Sequence, residues 1–160
     1  MKKLLLTLLL TTVVSAPVLA NWYATEMNDG TYEAFSEHFS INEVLTGHMN
    51  KEMTIWMSLT HSSNEEANEG WKELCDSADS SVEVVRYNTR KVRVKFFCND
   101  SSIGFQPMSV EGKKFVLNQF QTKNLVKVDM PDFASFTVNA SNFNNAVKES
   151  NRLNIEDAPL

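Results

Sequence analysis

Val82-Glu-Val-Val-Arg-Tyr87-Asn-Thr-Arg-Lys91-Val-Arg-Val-Lys-Phe-Phe-Cys98 is the stretch whose reading decides the fold. Val92, Val94 and Phe96 alternate with Arg93 and Lys95, and Val82 and Val84 alternate with Glu83 and Val85. A period of two marks half-buried strands. Asn88-Thr89-Arg90-Lys91 reads as the polar turn between them, which pairs residue 87 with residue 92. The chain has two cysteines, Cys75 and Cys98, and they bracket this hairpin.

Further strands lie on either side. Met53 to Thr60 reads as a strand with Met53, Ile55, Met57 and Leu59 on one face and Trp56 on the other. Residues 37–52 show no period and read as loop or an irregular edge. Residues 61–70 are acidic and poor in apolar side chains, an exposed loop; Trp71 to Cys75 is a helical turn or strand leading to the hairpin. Nearer the start, Asn28-Asp29-Gly30 between two β-prone runs is a hairpin signal. Past the hairpin, Pro107 marks residues 103–108 as an edge strand. Phe115, Val116, Leu117 and Phe120 recur at helical spacing. Leu125 to Met130 alternates as a strand, and Phe136 and Val138 face inward from the last one. Ser141 is placed to cap a helix through Ser150 with Phe143, Ala146 and Val147 as its apolar stripe; the tail after Arg152 reads as frayed. The expected architecture is one mainly-β or α+β domain, a twisted antiparallel sheet or small β-sandwich of about six to eight strands with one or two short C-terminal helices.

The ends and the charge narrow the function. Met1-Lys2-Lys3, the apolar run Leu4 to Val14, and Ser15-Ala-Pro-Val-Leu-Ala20 have the three parts of a secretory signal peptide, with cleavage expected after Ala20. The run is shorter than the roughly 20 residues a membrane span needs, so no membrane span is expected. The globular domain is then residues 21–160, exported to the periplasm or beyond. Loss of Lys2 and Lys3 takes the 15 basic residues to 13 against 20 acidic ones, a net charge of −7. An acidic surface repels nucleic acid and anionic lipid. Export also favours a disulfide between Cys75 and Cys98 over a metal or redox role. Closing that 24-residue loop is worth about 3 kcal/mol on chain-entropy grounds.

No catalytic, cofactor or metal motif emerges. His38, His48 and His61 have neither the spacing nor the company of a zinc site. There is no nucleophile turn and no phosphate-cradling glycine loop. What remains is a local excess of positive charge on an acidic chain: Arg86, Arg90, Lys91, Arg93 and Lys95 all lie on the central hairpin. Arg86, Arg93 and Lys95, together with Trp56 on the polar side of its strand, are the candidate partner-binding residues. The competing reading of that charge row is protection of a sheet edge.

The order of elements resembles small exported bacterial β-sandwich proteins. A Trp follows the leader closely, then the cysteine-tied Arg-Tyr hairpin, then the helix at Lys113-Phe-Val-Leu-Asn-Gln-Phe, the strand Leu125 to Met130, and a closing Phe136-Thr-Val-Asn before the Phe143/Ala146 helix. The layout is similar to the invasion-associated locus B family and the type VI secretion-associated TagO family. The resemblance implies a non-catalytic role and transfers no site residue. The sequence thus predicts a non-enzymatic exported protein that binds or assists another envelope protein, as an accessory, inhibitor or immunity protein, with no cofactor. The alternative is an envelope hydrolase in which Glu37, His38, His48 or His61 performs acid–base work.

Overall fold

A computed structural model describes residues 21–39, 43–50, 52–61, 82–99, 102–131 and 134–156. The leader, the acidic loop beyond His61, the Trp71–Cys75 run and hence one half of the proposed disulfide lie outside the described residues. Cys98 itself stands opposite Ile103 in the sheet.

The described strands are β1 (Tyr23–Glu26), β2 (Tyr32–Phe39), β3 (Glu43–Met49), β4 (Ile55–His61), β5 (Val82–Tyr87), β6 (Arg90–Asn99), β7 (Ser102–Pro107), β8 (Leu125–Met130) and β9 (Ala134–Asn139), with helices α1 (Val110–Thr122) and α2 (Phe143–Glu156). They form one nine-stranded sheet in the order β1-β2-β3-β4-β7-β6-β5-β8-β9, antiparallel at every pairing. The sheet curls into a half-barrel around the helices. The curl brings its two ends together, and the Asn139 side-chain amide donates to the Asn21 side chain at 2.8 Å. Asn142 closes the same end by donating to the Trp22 carbonyl at 2.8 Å. The Asn154 side chain of α2 both accepts from and donates to the main chain of Tyr32, at 2.7 and 2.8 Å, as a neighbouring strand would.

The inner face carries the core. Leu45, Met57, Leu59, Phe105, Val94, Val85, Tyr87, Val128 and Val138 are buried on it, and Val116, Phe120, Phe143 and Ala146 of the helices meet them. Trp22 is fully buried at the centre, its ring edge-on to Phe120 at 5.4 Å and to Phe143 at 4.9 Å. It reaches that position because β3 has no side chain at Gly47. A Cβ there would lie 2.9 Å from Trp22 Cη2 and 3.1 Å from Ser36 Oγ.

Several local expectations change. The central turn is the two residues Asn88-Thr89, with Tyr87 opposite Arg90 rather than 87 opposite 92. Asn88 has φ 53°, a conformation Asn tolerates well and tight hairpins require. Its side chain also accepts from the Lys127 N–H at 2.9 Å and donates to Gln119 at 2.8 Å, tying the tip to β8 and α1. Within residues 37–52, expected as loop or an irregular edge, β2 runs on to Phe39 and β3 spans Glu43–Met49. The alternation of β3 is hidden because Leu45 and Met49 are buried towards the helices while His48 is also buried, on the opposite side. Residues 102–107 form a central strand between β4 and β6, not an edge. Pro107 is tolerated because pairing with β4 stops at Phe105, so its missing N–H interrupts no ladder there. Helix α2 starts after Asn142, whose carbonyl accepts from the Ala146 N–H, and continues past Ser150 to Glu156. Arg152 secures that last turn by pairing with Glu149 and Glu156.

Gly47→Ala is expected to lower the unfolding free energy by about 1–3 kcal/mol, the range for overpacking a filled core. In denaturant titrations, adding Trp22→Phe should recover part of that loss, so that the two effects are non-additive.

Candidate functional site

The face turned away from the helices is where the candidate residues fall. Strand alternation puts Phe35 and Glu33 opposite in sense to buried Ala34, and Trp56 opposite to buried Ile55 and Met57. The pairings Tyr23↔Phe35, Phe35↔His48 and His48↔Trp56 set these four rings in one line across β1 to β4. Tyr23 meets Phe35 at 5.4 Å and Phe35 meets His48 at 4.7 Å, both edge-on. His48 lies parallel to Trp56 at 3.9 Å, and Phe97 continues the series at 5.9 Å from Trp56. Phe97 reaches Trp56 across β7 because its cross-strand partner is Gly104; a Cβ at that position would be driven into the Phe97 ring. Each strand glycine, Gly47 inside and Gly104 outside, therefore makes room for one aromatic ring.

The line passes from rings to charge. Beyond the last β4–β7 pair, Met57↔Phe105, stand Trp56 on one strand and Gln106 on the other, and Gln106 pairs with Lys95. Lys95, Arg93 and Lys91 follow each other at alternate positions of β6, opposite Val82, Val84 and Arg86 of β5. These three side chains, and that of Arg86, are exposed. Arg86 also stands opposite Asp129 on β8. Even so, among the described residues none of Arg86, Arg90, Lys91, Arg93 and Lys95 has a carboxylate within 4.0 Å, whereas Arg152 has two. The sheet thus brings Arg86, Arg93, Lys95 and Trp56 onto one face. Tyr23, Phe35 and Phe97 belong to the same face and were missed by sequence reasoning, as was the place of His48 among them. One signal was available for Phe97: adjacent Phe96-Phe97 in a strand must send one ring to each face.

One buried polar contact interrupts the aromatic line. His48 Nδ1 lies 3.4 Å from Glu33 Oε2, and neither atom has a hydrogen-bond partner among the described residues. Burial pulls the His48 imidazole down from its ordinary 6.5 to about 4. Burial, then the charges of Asp29 and Glu52, push the Glu33 carboxyl up. Both directions disfavour the ionised forms, so the contact is a close approach of a carboxyl group and a neutral imidazole rather than an ion pair at neutral pH.

The register places the backbone positions of the hydrolytic alternative in different rows of the sheet. Glu37 pairs with Thr46, one row away from His48, while His38 pairs with Leu45 and His61 with Glu43 at the far ends of their strands. The chain matches no protein-family model, no curated protein and no solved structure.

The lowered His48 pKa sets a pH dependence. The unfolded chain takes up a proton near 6.5 that the folded protein refuses until about 4, so this contribution to stability is complete above 6.5 and declines as pH falls towards 4. The whole effect is at most about 3 kcal/mol. Glu33 acts in the opposite sense, since its raised pKa lets the folded state take a proton first. His48→Phe keeps a ring in the stack and removes the titration. Its melting temperature should fall less than that of the wild type between about pH 7 and pH 4.5; equal falls would contradict the assignment.

Proposed function

We propose that the protein is an exported, non-enzymatic binding protein that assists or neutralises another envelope protein through the outer face of its sheet. The observation that carries this reading is the row of exposed cations on β5 and β6, unpaired among the described residues, beside the aromatic line ending at Trp56 and Phe97. In an acidic chain, cations with no carboxylate in reach among the described residues are available to a partner, and they favour a complementary acidic surface. Aromatic and arginine side chains are also the residues that most often dominate the energetics of protein interfaces.

The hydrolytic reading has less support. A histidine that takes up a proton only near 4 is a poor general base at neutral pH, and His48 is held between two rings. The layout resemblance to small exported β-sandwich families points towards binding as well. The proposed bridge from Cys98 to Cys75 suits an oxidising compartment, and export itself follows from the leader.

The test is an affinity capture from envelope extract with residues 21–160, repeated with Arg86→Glu, Arg93→Glu and Lys95→Glu combined. Exposed charges contribute little to stability, so the triple variant should fold and lose the partner. Undiminished capture of the same partner by the folded variant would refute the outer face as the contact.

A further inference from the structure

A second feature of the β5–β6 hairpin borders the outer face, with which it shares Lys91 and Arg93, and centres on Arg90. At the hairpin's tip, β6 extends past the end of β7. The Met108 N–H donates to the Arg93 carbonyl at 3.1 Å; the chain then turns at Ser109 into α1, and on the side away from β5 no described strand continues beside the first residues of β6. A cleft of about 410 Å³ opens there between β6 and the start of α1, within the size range of small-ligand sites. In a strand, the main-chain groups of alternate residues point to the same side. The N–H of Lys91 therefore points as the carbonyl of Arg93 does, into the space that β7 has vacated.

The lining has a clear chemical bias. Arg90, Lys91 and Arg93 contribute three cations, none of them within 4.0 Å of a carboxylate among the described residues. Glu111 is the one carboxylate in the lining, and it is exposed. Phe115, Val92 and Met108 supply apolar surface. Arg90 has its guanidinium carbon 5.0 Å from the centroid of the Phe115 ring. A guanidinium held over a ring engages its face and leaves its N–H edge free, the edge that binds a carboxylate through two parallel hydrogen bonds.

We propose that this cleft is a binding site for a small organic acid, a carboxylate on a ring or short aliphatic body. The carboxylate meets the Arg90 edge with Lys91 and Arg93 beside it, and the apolar body packs on Phe115, Val92 and Met108. The inference goes beyond the proposed outer-face function: Arg90 takes no part in that face, and the variants chosen here leave Arg86, Arg93 and Lys95 intact. Failure of one proposal is therefore distinguishable from failure of the other.

Benzoate is the probe, and benzyl alcohol its uncharged control. In NMR titrations of the 15N-labelled protein, benzoate should shift the amide signals of Lys91, Glu111 and Gly112 at millimolar concentration, while benzyl alcohol leaves them in place. Arg90→Gln should weaken benzoate binding roughly tenfold, as loss of a charged hydrogen-bonding partner implies, with an unchanged melting temperature. Phe115→Leu, which removes the ring beneath the guanidinium, should also weaken it. Lys127→Gln, a charge change outside the cleft, should have no effect. The proposal is overturned if benzoate does not shift these signals, if benzyl alcohol shifts them equally, or if the folded Arg90→Gln protein binds benzoate as the wild type does. If Arg90→Gln does not fold, the comparison of Phe115→Leu with Lys127→Gln decides on the same terms.

Discussion

The packing of Trp22 into the notch at Gly47 is the contact on which the rest of the architecture depends. Phe120 of α1 and Phe143 of α2 both meet the Trp22 ring edge-on, so one side chain near the start of the domain joins both helices to β3. Asn142, the residue that opens α2, donates to the Trp22 carbonyl, and Asn139 of the last strand bonds Asn21 beside it. The first strand, the last strand and the last helix are thereby fixed around a single indole. Edge-on aromatic pairs contribute about 0.5–1.5 kcal/mol beyond the area they bury, and a small domain has only about 5–15 kcal/mol of net stability. The cluster is therefore a substantial part of what keeps the sheet curled. Its indole N–H is buried without a partner among the described residues, which offsets some of that gain.

Because the helices occupy one side of the sheet, the other side is released from packing the core. That division explains why the outer face can carry chemistry that a core would reject. His48 and Glu33 sit 3.4 Å apart there with neither atom hydrogen-bonded among the described residues, a polar contact inside an aromatic line. Cations follow at alternate positions along β6 with no carboxylate within 4.0 Å among the described residues.

How much of this was legible in the sequence depended on whether a strand had one buried face or two. Leu125 to Met130 and Phe136 with Val138 have one, and their alternation was read correctly. The Asn28-Asp-Gly30 turn and the helix around Phe115 to Phe120 were equally plain. β3 buries Leu45 and Met49 on one face and His48 on the other, so its period vanished and it was read as loop or an irregular edge. Pro107 suggested an edge, whereas a terminal position in a central strand satisfies the same constraint. The one-face grouping of Arg86, Arg93, Lys95 and Trp56 was partly visible, because parity within each strand is local. The aromatic line was not, since it depends on register between strands far apart in sequence, and on Gly104 letting Phe97 lie across β7. The cleft depends on where β7 stops relative to β6, which no local pattern reveals.

The central claim is that the two faces of the sheet are divided between folding and recognition. Gln106, half-buried on the outer face between Trp56 and Lys95, and Lys114, exposed on α1, allow that division to be read directly. A photo-crosslinking amino acid at each position in turn, in otherwise unchanged protein exposed to envelope extract, reports which side the partner occupies. The account predicts a discrete crosslinked product from position 106 and none from position 114. Crosslinking from position 114 alone would place recognition on the helical side and contradict it.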